Sequence, residues 1–211
     1  MHIQYLTRSC SMSGRFIVFE GGEGAGKDTQ IDLLRTVVNE DDYVFVKDPG
    51  STDAGIRLRE VVLHSTHIGY TAEFLTFLAA RAQLVTELIA PALTAGKTVV
   101  ANRFDLSTYA YQIHGRERHD VLPFLKEAMA FVMQGIAPDV VILFDVPPEV
   151  GLKRAARIKV PDRMEHENIL FHERVRAGYL AHVHDYTEHH IIDALLPKED
   201  IFAQVRKIVG V

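Results

Sequence analysis

Gly21-Gly-Glu-Gly-Ala-Gly-Lys-Asp-Thr29 is the stretch that decides the fold of this chain of 211 residues. It follows an apolar segment, Phe16-Ile-Val-Phe19, and precedes a helical pattern. Gly21 and Gly26 lie five positions apart, and Lys27 comes next. In loops with this spacing, backbone N–H groups and a helix N-terminus contact phosphate oxygens while the lysine reaches the outer phosphates. The stretch therefore predicts a phosphate-binding loop, or P-loop, in which we expect the side chain of Lys27 to be exposed.

The position after the lysine departs from the usual motif. A Ser or Thr is expected there because its hydroxyl binds Mg²⁺, but this chain has Asp28, with Thr29 one position late. A glycine-rich turn without a ligand is the alternative interpretation. The apolar strand before the loop and the helix after it are the context that a P-loop requires, and they favour nucleotide chemistry.

The rest of the chain alternates short apolar strands with helical patterns. Strands are predicted at 15–20, 43–47, 97–101, 139–145 and 189–192. This alternation is typical of an α/β fold in which a five-stranded parallel sheet carries helices on both faces. No Gly/Ser linker, internal repeat or low-complexity tract divides residues 15–211, which we interpret as one domain.

Composition and charge argue against other classes of protein. The net charge of −5 argues against a general nucleic-acid surface, and no apolar run reaches the roughly 18 residues of a membrane span. Residues 1–14 lack the apolar region of a signal peptide and hold the only cysteine, Cys10, so we predict a disordered leader. We therefore expect a cytoplasmic protein without nucleic-acid or membrane partners. The late histidines show no three-ligand spacing, and we interpret them as solvated surface rather than a metal site.

Basic residues recur where the predicted strands end. Lys47-Asp-Pro-Gly-Ser-Thr52 follows the second strand, and the next helix carries Arg57 and Arg59. Arg103 follows the third strand, and the helix after the fourth strand carries Arg154 and Arg157. Strand ends of a parallel sheet meet at the edge where ligands bind. Several arginines beside a phosphate loop indicate two phosphorylated ligands, which favours a transferase over a hydrolase. The Pro-containing segment 158–162 between two helices is interpreted as a mobile lid.

The ordered set of motifs resembles the thymidylate kinase family from about Phe16 to Val209. The segments that carry the resemblance are Glu20-Gly-Gly-Glu-Gly-Ala-Gly-Lys27, Lys47-Asp-Pro-Gly-Ser-Thr52, Leu75-Thr-Phe-Leu-Ala-Ala-Arg81, Asn102-Arg-Phe104, Ala110-Tyr-Gln112, Gly151-Leu-Lys-Arg154 and Asp162-Arg-Met-Glu165. The resemblance implies a P-loop kinase fold with a short lid at about 154–165. It also implies transfer of the γ-phosphoryl group of ATP to dTMP with Mg²⁺, and a homodimer.

The resemblance implies roles for individual residues on the ATP side. Lys27 would bridge the β- and γ-phosphates. The loop has Gly24 and Ala25 where some members carry an arginine, so the lid would supply one, and Arg154, Arg157 and Lys159 are the candidates; for each, a solvated helix face is the alternative. The implied ATP site consists of Gly21, Gly22, Gly24, Ala25, Gly26, Lys27, Asp28 and Thr29, and the implied catalytic set of Lys27, Arg103, Arg154 and Arg157.

On the acceptor side, Arg59 and Arg103 would clamp the dTMP phosphate and Glu23 would meet the 3′-hydroxyl group. Phe77 would stack on thymine, although a plain core position is its alternative. The implied substrate site consists of Glu23, Asp48, Arg59, Phe77, Arg81, Arg103, Thr108 and Gln112, of which Arg81 and Gln112 would bond the base edge. Phe77 and Arg81 are four positions apart, so both side chains can address one base. Arg57 would face elsewhere, and Arg163 and Glu165 would hold the lid.

Two positions depart from the family pattern near the expected metal. Asp28 replaces a hydroxyl and Asn102 replaces an aspartate, so the number of carboxylates is unchanged, as though one had moved across the site. We interpret Asp28 and Asn102 as one exchanged unit around Mg²⁺. Two alternatives to a thymidylate kinase stay open: a kinase for another or modified deoxypyrimidine monophosphate, and a non-catalytic P-loop nucleotide-binding protein. The presence of Lys27 and Arg103 favours turnover.

Overall fold

A parallel sheet forms the centre of the molecule in the computed structural model, which describes residues 13–158 and 162–211. Its strands are β1 Phe16–Glu20, β2 Tyr43–Lys47, β3 Thr98–Asn102, β4 Val140–Asp145 and β5 His189–Asp193. Their order is β2-β3-β1-β4-β5, and every neighbouring pair is parallel. The predicted five-stranded parallel sheet is confirmed, and the predicted strand limits differ by at most one residue at either end.

Helices cover both faces of this sheet. They are α1 Lys27–Arg35, α2 Asp53–His64, α3 Tyr70–Leu84, α4 Ala90–Thr94, α5 Asp105–Thr108, α6 Leu122–Met133, α7 Pro148–Ala155, α8 Ile169–His182 and α9 Lys198–Val209. Two π-helical segments, Val85–Ile89 and Tyr109–Gly115, continue α3 and α5. The second of these segments carries Gln112 of the predicted site, so its position against α8 matters for function.

The strand β1 shows why two layers of helices are needed. Its side chains alternate between the two faces: Phe16 and Val18 belong to the core under α3, α6 and α8, and Phe19 belongs to the core under α1 and α9. All of them are fully buried. Burial of one such side chain contributes about 1.5–3 kcal/mol. The central position of β1 therefore fixes the P-loop, which leaves its C-terminal end, on the rigid centre of the fold.

The N-terminal limit of the domain differs from the prediction. Residues 1–12, including Cys10, lie outside the described part of the chain. Gly14, which we placed in a disordered leader, is buried, and its N–H donates to the carbonyl oxygen of Leu93 at 3.0 Å. The backbone contact explains the difference, because Gly14 has no side chain that a hydropathy pattern would register.

Within the described residues, one helical run, Tyr70–Thr94, is long and apolar enough for a membrane span, with a mean hydropathy of 1.2 over an 18-residue window. Its side chains Phe74, Leu78 and Leu84 belong to the hydrophobic core. Arg81 is also buried, and it is ion-paired. We interpret the run as a core helix because its apolar side chains pack against the sheet and α6.

Two of the late histidines contradict their interpretation as solvated surface. His172 is buried, and Nε2 of His182 lies 3.1 Å from Nε2 of His114. The Nδ1 atom of His182 lies 3.0 Å from the carboxylate of Asp185. The contact with His114 joins α8 to a distant segment, and a spacing rule within α8 cannot detect it. Among the described residues, no group of three His, Cys, Asp or Glu side chains is arranged to hold a metal ion.

Candidate active site

The predicted site residues converge on one cavity of about 820 Å³ at the C-terminal edge of the sheet. Such a volume is within the range of small-molecule sites. The predicted residues that line it are Glu23, Gly24, Ala25, Gly26, Lys27, Asp28, Thr29, Asp48, Arg59, Phe77, Arg81, Asn102, Arg103, Thr108, Gln112, Arg154 and Arg157. Gly21 and Gly22 do not line the cavity; their carbonyl oxygens instead accept hydrogen bonds from Lys27.

The P-loop depends on glycine where the chain packs most tightly. Gly24 has a positive φ of 62°, and a Cβ atom there would lie 2.0 Å from the carbonyl oxygen of Gly151. A side chain at position 24 would therefore push α7 away from the loop. Gly26, with φ 89°, precedes the first residue of α1, so the N-terminus of α1 and its free N–H groups face the cavity, as phosphate binding requires.

Lys27 is not exposed, contrary to our expectation. Its exposed fraction is 6%, because it is the first residue of α1 and its side chain turns back under the loop. The Nζ atom donates to the carbonyl oxygens of Gly21 and Gly22 at 2.8 and 2.9 Å. Burial, and then the positive charge of Arg103, lower the pKa of Lys27 to about 7. An anion in the cavity would restore the charge that this environment disfavours.

Asp28 and Asn102 are in direct contact. The side-chain amide of Asn102 donates to Oδ1 of Asp28 at 2.8 Å, and Nζ of Lys47 lies 3.1 Å from the same oxygen. Partial burial raises the pKa of Asp28, but Lys47, Lys27 and Arg103 together outweigh burial, so the pKa is lowered and the carboxylate is ionised at neutral pH. Both departures from the motif thus belong to one cluster, and Lys47 is a third member to which the sequence pattern gave no role.

Arg103 is held at the centre of the cavity by a strained backbone and by five hydrogen bonds. Its φ of 68° is in the left-handed region, which is unusual for a residue with a side chain. The Nη2 atom donates to Oε1 of Glu23 at 2.7 Å and to the hydroxyl of Tyr111. The Nη1 atom donates to Gly21 O, the hydroxyl of Tyr179 and Ser107 Oγ. The guanidinium group is therefore oriented before any ligand binds.

Arg81 lies at the end of the cavity that the resemblance assigns to the base. It is 2% exposed and donates from Nε to Oδ2 of Asp48 at 2.6 Å, from Nη1 to Thr108 Oγ1, and from Nη2 to Phe104 O. Burial raises the pKa of Asp48 and Arg81 lowers it, with a net rise. Asp48 Oδ1 is buried and has no hydrogen-bond partner in the described chain. The ion pair of Arg81 and Asp48 thus forms a fixed part of the cavity wall where the resemblance places the base.

Gln112 offers an acceptor to the same end of the cavity. Its side chain is buried, and its Nε2 donates to Oε1 of Glu73 at 2.7 Å. Its Oε1 is buried without a hydrogen-bond partner among the described residues. A buried acceptor of this kind is costly unless a ligand supplies a donor. The half-buried ring of Phe77 lines the cavity nearby, so the core alternative for Phe77 does not hold.

The remaining arginines divide between the cavity, the surface and the lid. Arg59 lines the cavity and donates to Pro49 O at 3.1 Å. Arg57 pairs with Asp53 on the surface, which confirms that it faces elsewhere. Arg163 donates to Val62 O at 2.9 Å and also to Glu73, so it anchors the start of the segment 162–168 to α2 and α3.

Of the two arginines proposed for the lid, Arg154 lies on α7, whereas Arg157 lies in the turn that follows this helix. Arg154 and Arg157 line the cavity, and Nη1 of Arg154 donates to Ala194 O at 2.8 Å. Glu165 also lines the cavity and accepts from Asp162 N. Lys159 and the predicted lid residues 159–161 lie outside the described part of the chain.

One wall of the cavity was not predicted from the sequence. Ala194, Leu196 and Lys198 follow β5 and line the end next to Arg154, and Gln30 on α1 donates to Lys198 O. The strand itself was predicted, and its end could have indicated this wall, because ligands bind at the strand ends of such sheets. Further residues that were not predicted contact the predicted ones: Glu73, Ser107, Tyr111 and Tyr179. Glu20 contacts Ser107 and Tyr179 in turn.

Comparison with known proteins gives one family for the whole domain. A sequence model of the family described as thymidylate kinase matches residues 19–205. The thymidylate kinase of Deinococcus radiodurans is 40% identical over 196 residues, which cover 91% of this chain and 94% of that protein. The thymidylate kinase of Carboxydothermus hydrogenoformans is 39% identical over 198 residues, with 92% and 96% covered. The crystal structure of thymidylate kinase from Ehrlichia chaffeensis is similar with a TM-score of 0.74 and 25% identity, covering 93% of this chain and 99% of that chain. With these matches and the converged P-loop site, the chain belongs to the thymidylate kinase family.

Proposed function

We propose that the protein is an ATP-dependent thymidylate kinase, which converts dTMP and ATP to dTDP and ADP. Family membership and the names of the relatives support this activity. The observation that carries the proposal is the position of Lys27 and Arg103 in one cavity. Lys27 lies on the P-loop side and Arg103 between the loop and the base end. The cavity is therefore positive where the phosphates of donor and acceptor have to meet.

The reaction needs positioning and charge neutralisation rather than a covalent nucleophile. An oxygen of the dTMP phosphate forms a bond to the γ-phosphorus of ATP, and the bond from that phosphorus to the β,γ-bridging oxygen breaks. Lys27 and the N-terminus of α1 would hold the β- and γ-phosphates, while Arg59 and Arg103 would hold the acceptor phosphate. These cations offset the repulsion between two anions. Arg154 on α7 and Arg157 in the turn after it would add positive charge, and the kcat of Arg157→Ala measures the contribution of Arg157.

The base end of the cavity favours a pyrimidine with a ring N–H group. The partnerless Oε1 of Gln112 would accept from N3–H of thymine, and the ring of Phe77 would stack on the base. One N–H group on Nη2 of Arg81 has no partner in the described part of the chain and would donate to a base carbonyl oxygen. Uracil offers the same edge, so the alternative of another deoxypyrimidine substrate concerns dUMP more than dCMP.

Mg²⁺ is part of the proposal, and the donor set near Asp28 fits it. Enzymes of this kind bind Mg²⁺ through one or two carboxylates and the substrate phosphates. The Asp28 side chain is 71% exposed, and its Oδ1 accepts from Lys47 and Asn102, which leaves Oδ2 for the ion or for a water bound to it. The bound ion would neutralise charge on the phosphates.

An assay of ADP formation with dTMP, dUMP, dCMP, dGMP and AMP as acceptors tests the proposed function. We expect turnover with dTMP in the presence of ATP and Mg²⁺, weaker turnover with dUMP, and little with the other three. Nucleotide binding would be followed in parallel by calorimetry. ATP binding with background turnover on every acceptor would support the non-catalytic alternative instead.

The contact between Asp28 and Asn102 predicts that their substitutions are coupled. Asp28→Ser alone leaves the ion short of a carboxylate and should raise the Mg²⁺ concentration needed for half-maximal rate. Asn102→Asp alone replaces the 2.8 Å hydrogen bond by two facing carboxylates, which also lowers activity. The double variant should recover activity, with a coupling of about 0.5–3 kcal/mol in kcat/KM. Additive losses at every Mg²⁺ concentration would show that the two residues do not share an ion.

We also propose that the protein is a homodimer that buries the outer face of α2, α3 and α6. These helices pack side by side and expose Val61, Leu75, Phe124 and Phe131, the last with 85% of its surface. Exposed apolar side chains that are grouped on neighbouring helices favour an interface with a partner. Light scattering should give twice the 23.7 kDa of one chain, and Phe131→Glu should give the monomer mass. The control Ile191→Glu, at a 42% exposed position on β5, should stay dimeric; a monomeric wild type would refute the proposal.

A further inference from the structure

Glu73 is a buried carboxylate that several parts of the acceptor site share. It lies in the first turn of α3, and its side chain is 2% exposed. Oε1 accepts from Nε2 of Gln112 at 2.7 Å and from Nε of Arg116 at 3.2 Å. Oε2 accepts from Nη2 of Arg116 at 3.2 Å and from Nη2 of Arg163. Glu73 does not line the cavity itself, so it acts through the residues that it contacts.

The surroundings of Glu73 keep it ionised. Burial raises its pKa, but the hydrogen bond from Gln112 and the charges of Arg116 and Arg163 outweigh burial and lower the pKa. An ionised carboxylate accepts hydrogen bonds and donates none. Gln112 must therefore turn its NH₂ group towards Glu73, because the opposite orientation would place two oxygens face to face.

The fixed orientation of the Gln112 amide determines which of its atoms faces the ligand. With its NH₂ group held by Glu73, Gln112 presents only Oε1, the buried acceptor without a partner among the described residues. A ring N–H at that position forms a hydrogen bond, whereas a ring nitrogen with a lone pair is repelled. Thymine and uracil carry N3–H, and cytosine carries a lone pair at N3.

We propose that Glu73 is the positioning residue that sets base specificity: it fixes the Gln112 amide so that the site accepts a pyrimidine with a ring N–H and rejects cytosine. The inference rests on the proposed function, because it assigns the base end of the same cavity. Arg163 donates to the same carboxylate, so it helps to maintain the charge on which base choice depends.

The isosteric change Glu73→Gln tests the proposal. A neutral glutamine at position 73 can donate as well as accept, so Gln112 can reverse its amide and present NH₂ to N3 of cytosine. The ratio of kcat/KM for dTMP to that for dCMP should fall by about 10- to 100-fold, the size of one misplaced buried hydrogen bond, and KM for ATP should stay unchanged. An unchanged ratio would overturn the proposal.

Two controls separate positioning from general loss of structure. Glu167 is bonded to Arg116, and no hydrogen bond joins it to Gln112 among the described residues, so Glu167→Gln should leave the ratio near the wild-type value. If Glu73 acts through Gln112, Glu73→Gln should have no further effect on the ratio in a Gln112→Ala background. A full effect of Glu73→Gln in that background would show that it acts by another route.

A binding experiment distinguishes failure of this inference from failure of the proposed function. Calorimetric Kd values for dTMP and dCMP need no turnover, so a wild type that binds dTMP selectively but transfers no phosphoryl group would refute only the kinase activity. If Glu73→Gln does not fold, NMR of dTMP bound to the wild type tests the step on which the proposal depends, the acceptance of N3–H by Gln112. A protected N3–H proton supports Gln112 as the acceptor, and a proton in rapid exchange with water overturns the proposal.

Discussion

Replacement of Lys27 by methionine is expected to lower kcat by about two to three orders of magnitude, the loss typical of one preorganised electrostatic group, without lowering the free energy of unfolding. The ammonium group would lose its contact with the transferring phosphoryl group, while the methionine keeps most of the buried stem. The lowered pKa of Lys27 means that the fold disfavours the charged form at neutral pH. Methionine removes that cost, which offsets the loss of the hydrogen bonds to Gly21 O and Gly22 O, so thermal unfolding should occur at about the same temperature. A parallel loss of stability and activity would contradict this account.

The same residue predicts a pH dependence of ATP binding. With a pKa of about 7 in the empty site, Lys27 is mostly neutral at pH 8, and ATP binding must restore its proton. Affinity should therefore fall as pH rises above 7, by up to tenfold per unit, and calorimetry in buffers of different ionisation enthalpy should detect proton uptake at pH 8. Lys27→Met is the matched control, because it should bind ATP weakly at every pH and without this proton uptake.

The features that could be predicted from the sequence are those that a short stretch of neighbouring residues specifies. The P-loop spacing and the apolar strands occupy contiguous residues, and the topology of a parallel sheet then places their ends at one edge. The cavity that contains Lys27, Arg103 and Gln112 follows from that topology together with the family resemblance. The i, i+4 relation of Phe77 and Arg81 predicted that both side chains face the same side of one helix, and both line the cavity; their assignment to the base comes from the resemblance.

The features that could not be predicted depend on contacts between distant segments. Lys27 is buried because its side chain turns back under the loop, close to Arg103 from another strand end. In the sequence Glu73 looks like an ordinary helix residue, yet its carboxylate accepts hydrogen bonds from Gln112 and Arg163, which are 39 and 90 positions away. Hydropathy ranks such a glutamate as surface. Only the arrangement of three segments supplies the donors that allow its burial.

Arg103 is the residue whose loss should affect acceptor phosphorylation most. Arg103→Ala removes the guanidinium group that Glu23, Tyr111 and Tyr179 orient, and it leaves the Glu23 carboxylate without that cation. We expect kcat/KM for dTMP to fall by about 10³-fold or more, as for charge-stabilising arginines in phosphoryl transfer, while ATP affinity changes less. Arg103→Lys should recover only part of the rate, because a lysine cannot reproduce the planar fork.

The backbone at position 103 supplies the control that separates chemistry from folding. Its φ of 68° disfavours any residue with a Cβ atom by roughly 1–2 kcal/mol, whereas glycine adopts this conformation freely. Arg103→Gly should therefore be more stable than Arg103→Ala by about 1 kcal/mol, although both lack the guanidinium group and should be equally inactive. Denaturant titration gives the stabilities, and the dTMP assay gives the activities. If the more stable glycine variant also regained activity over alanine, the loss would come from folding, and the assignment of Arg103 to the acceptor phosphate would be wrong.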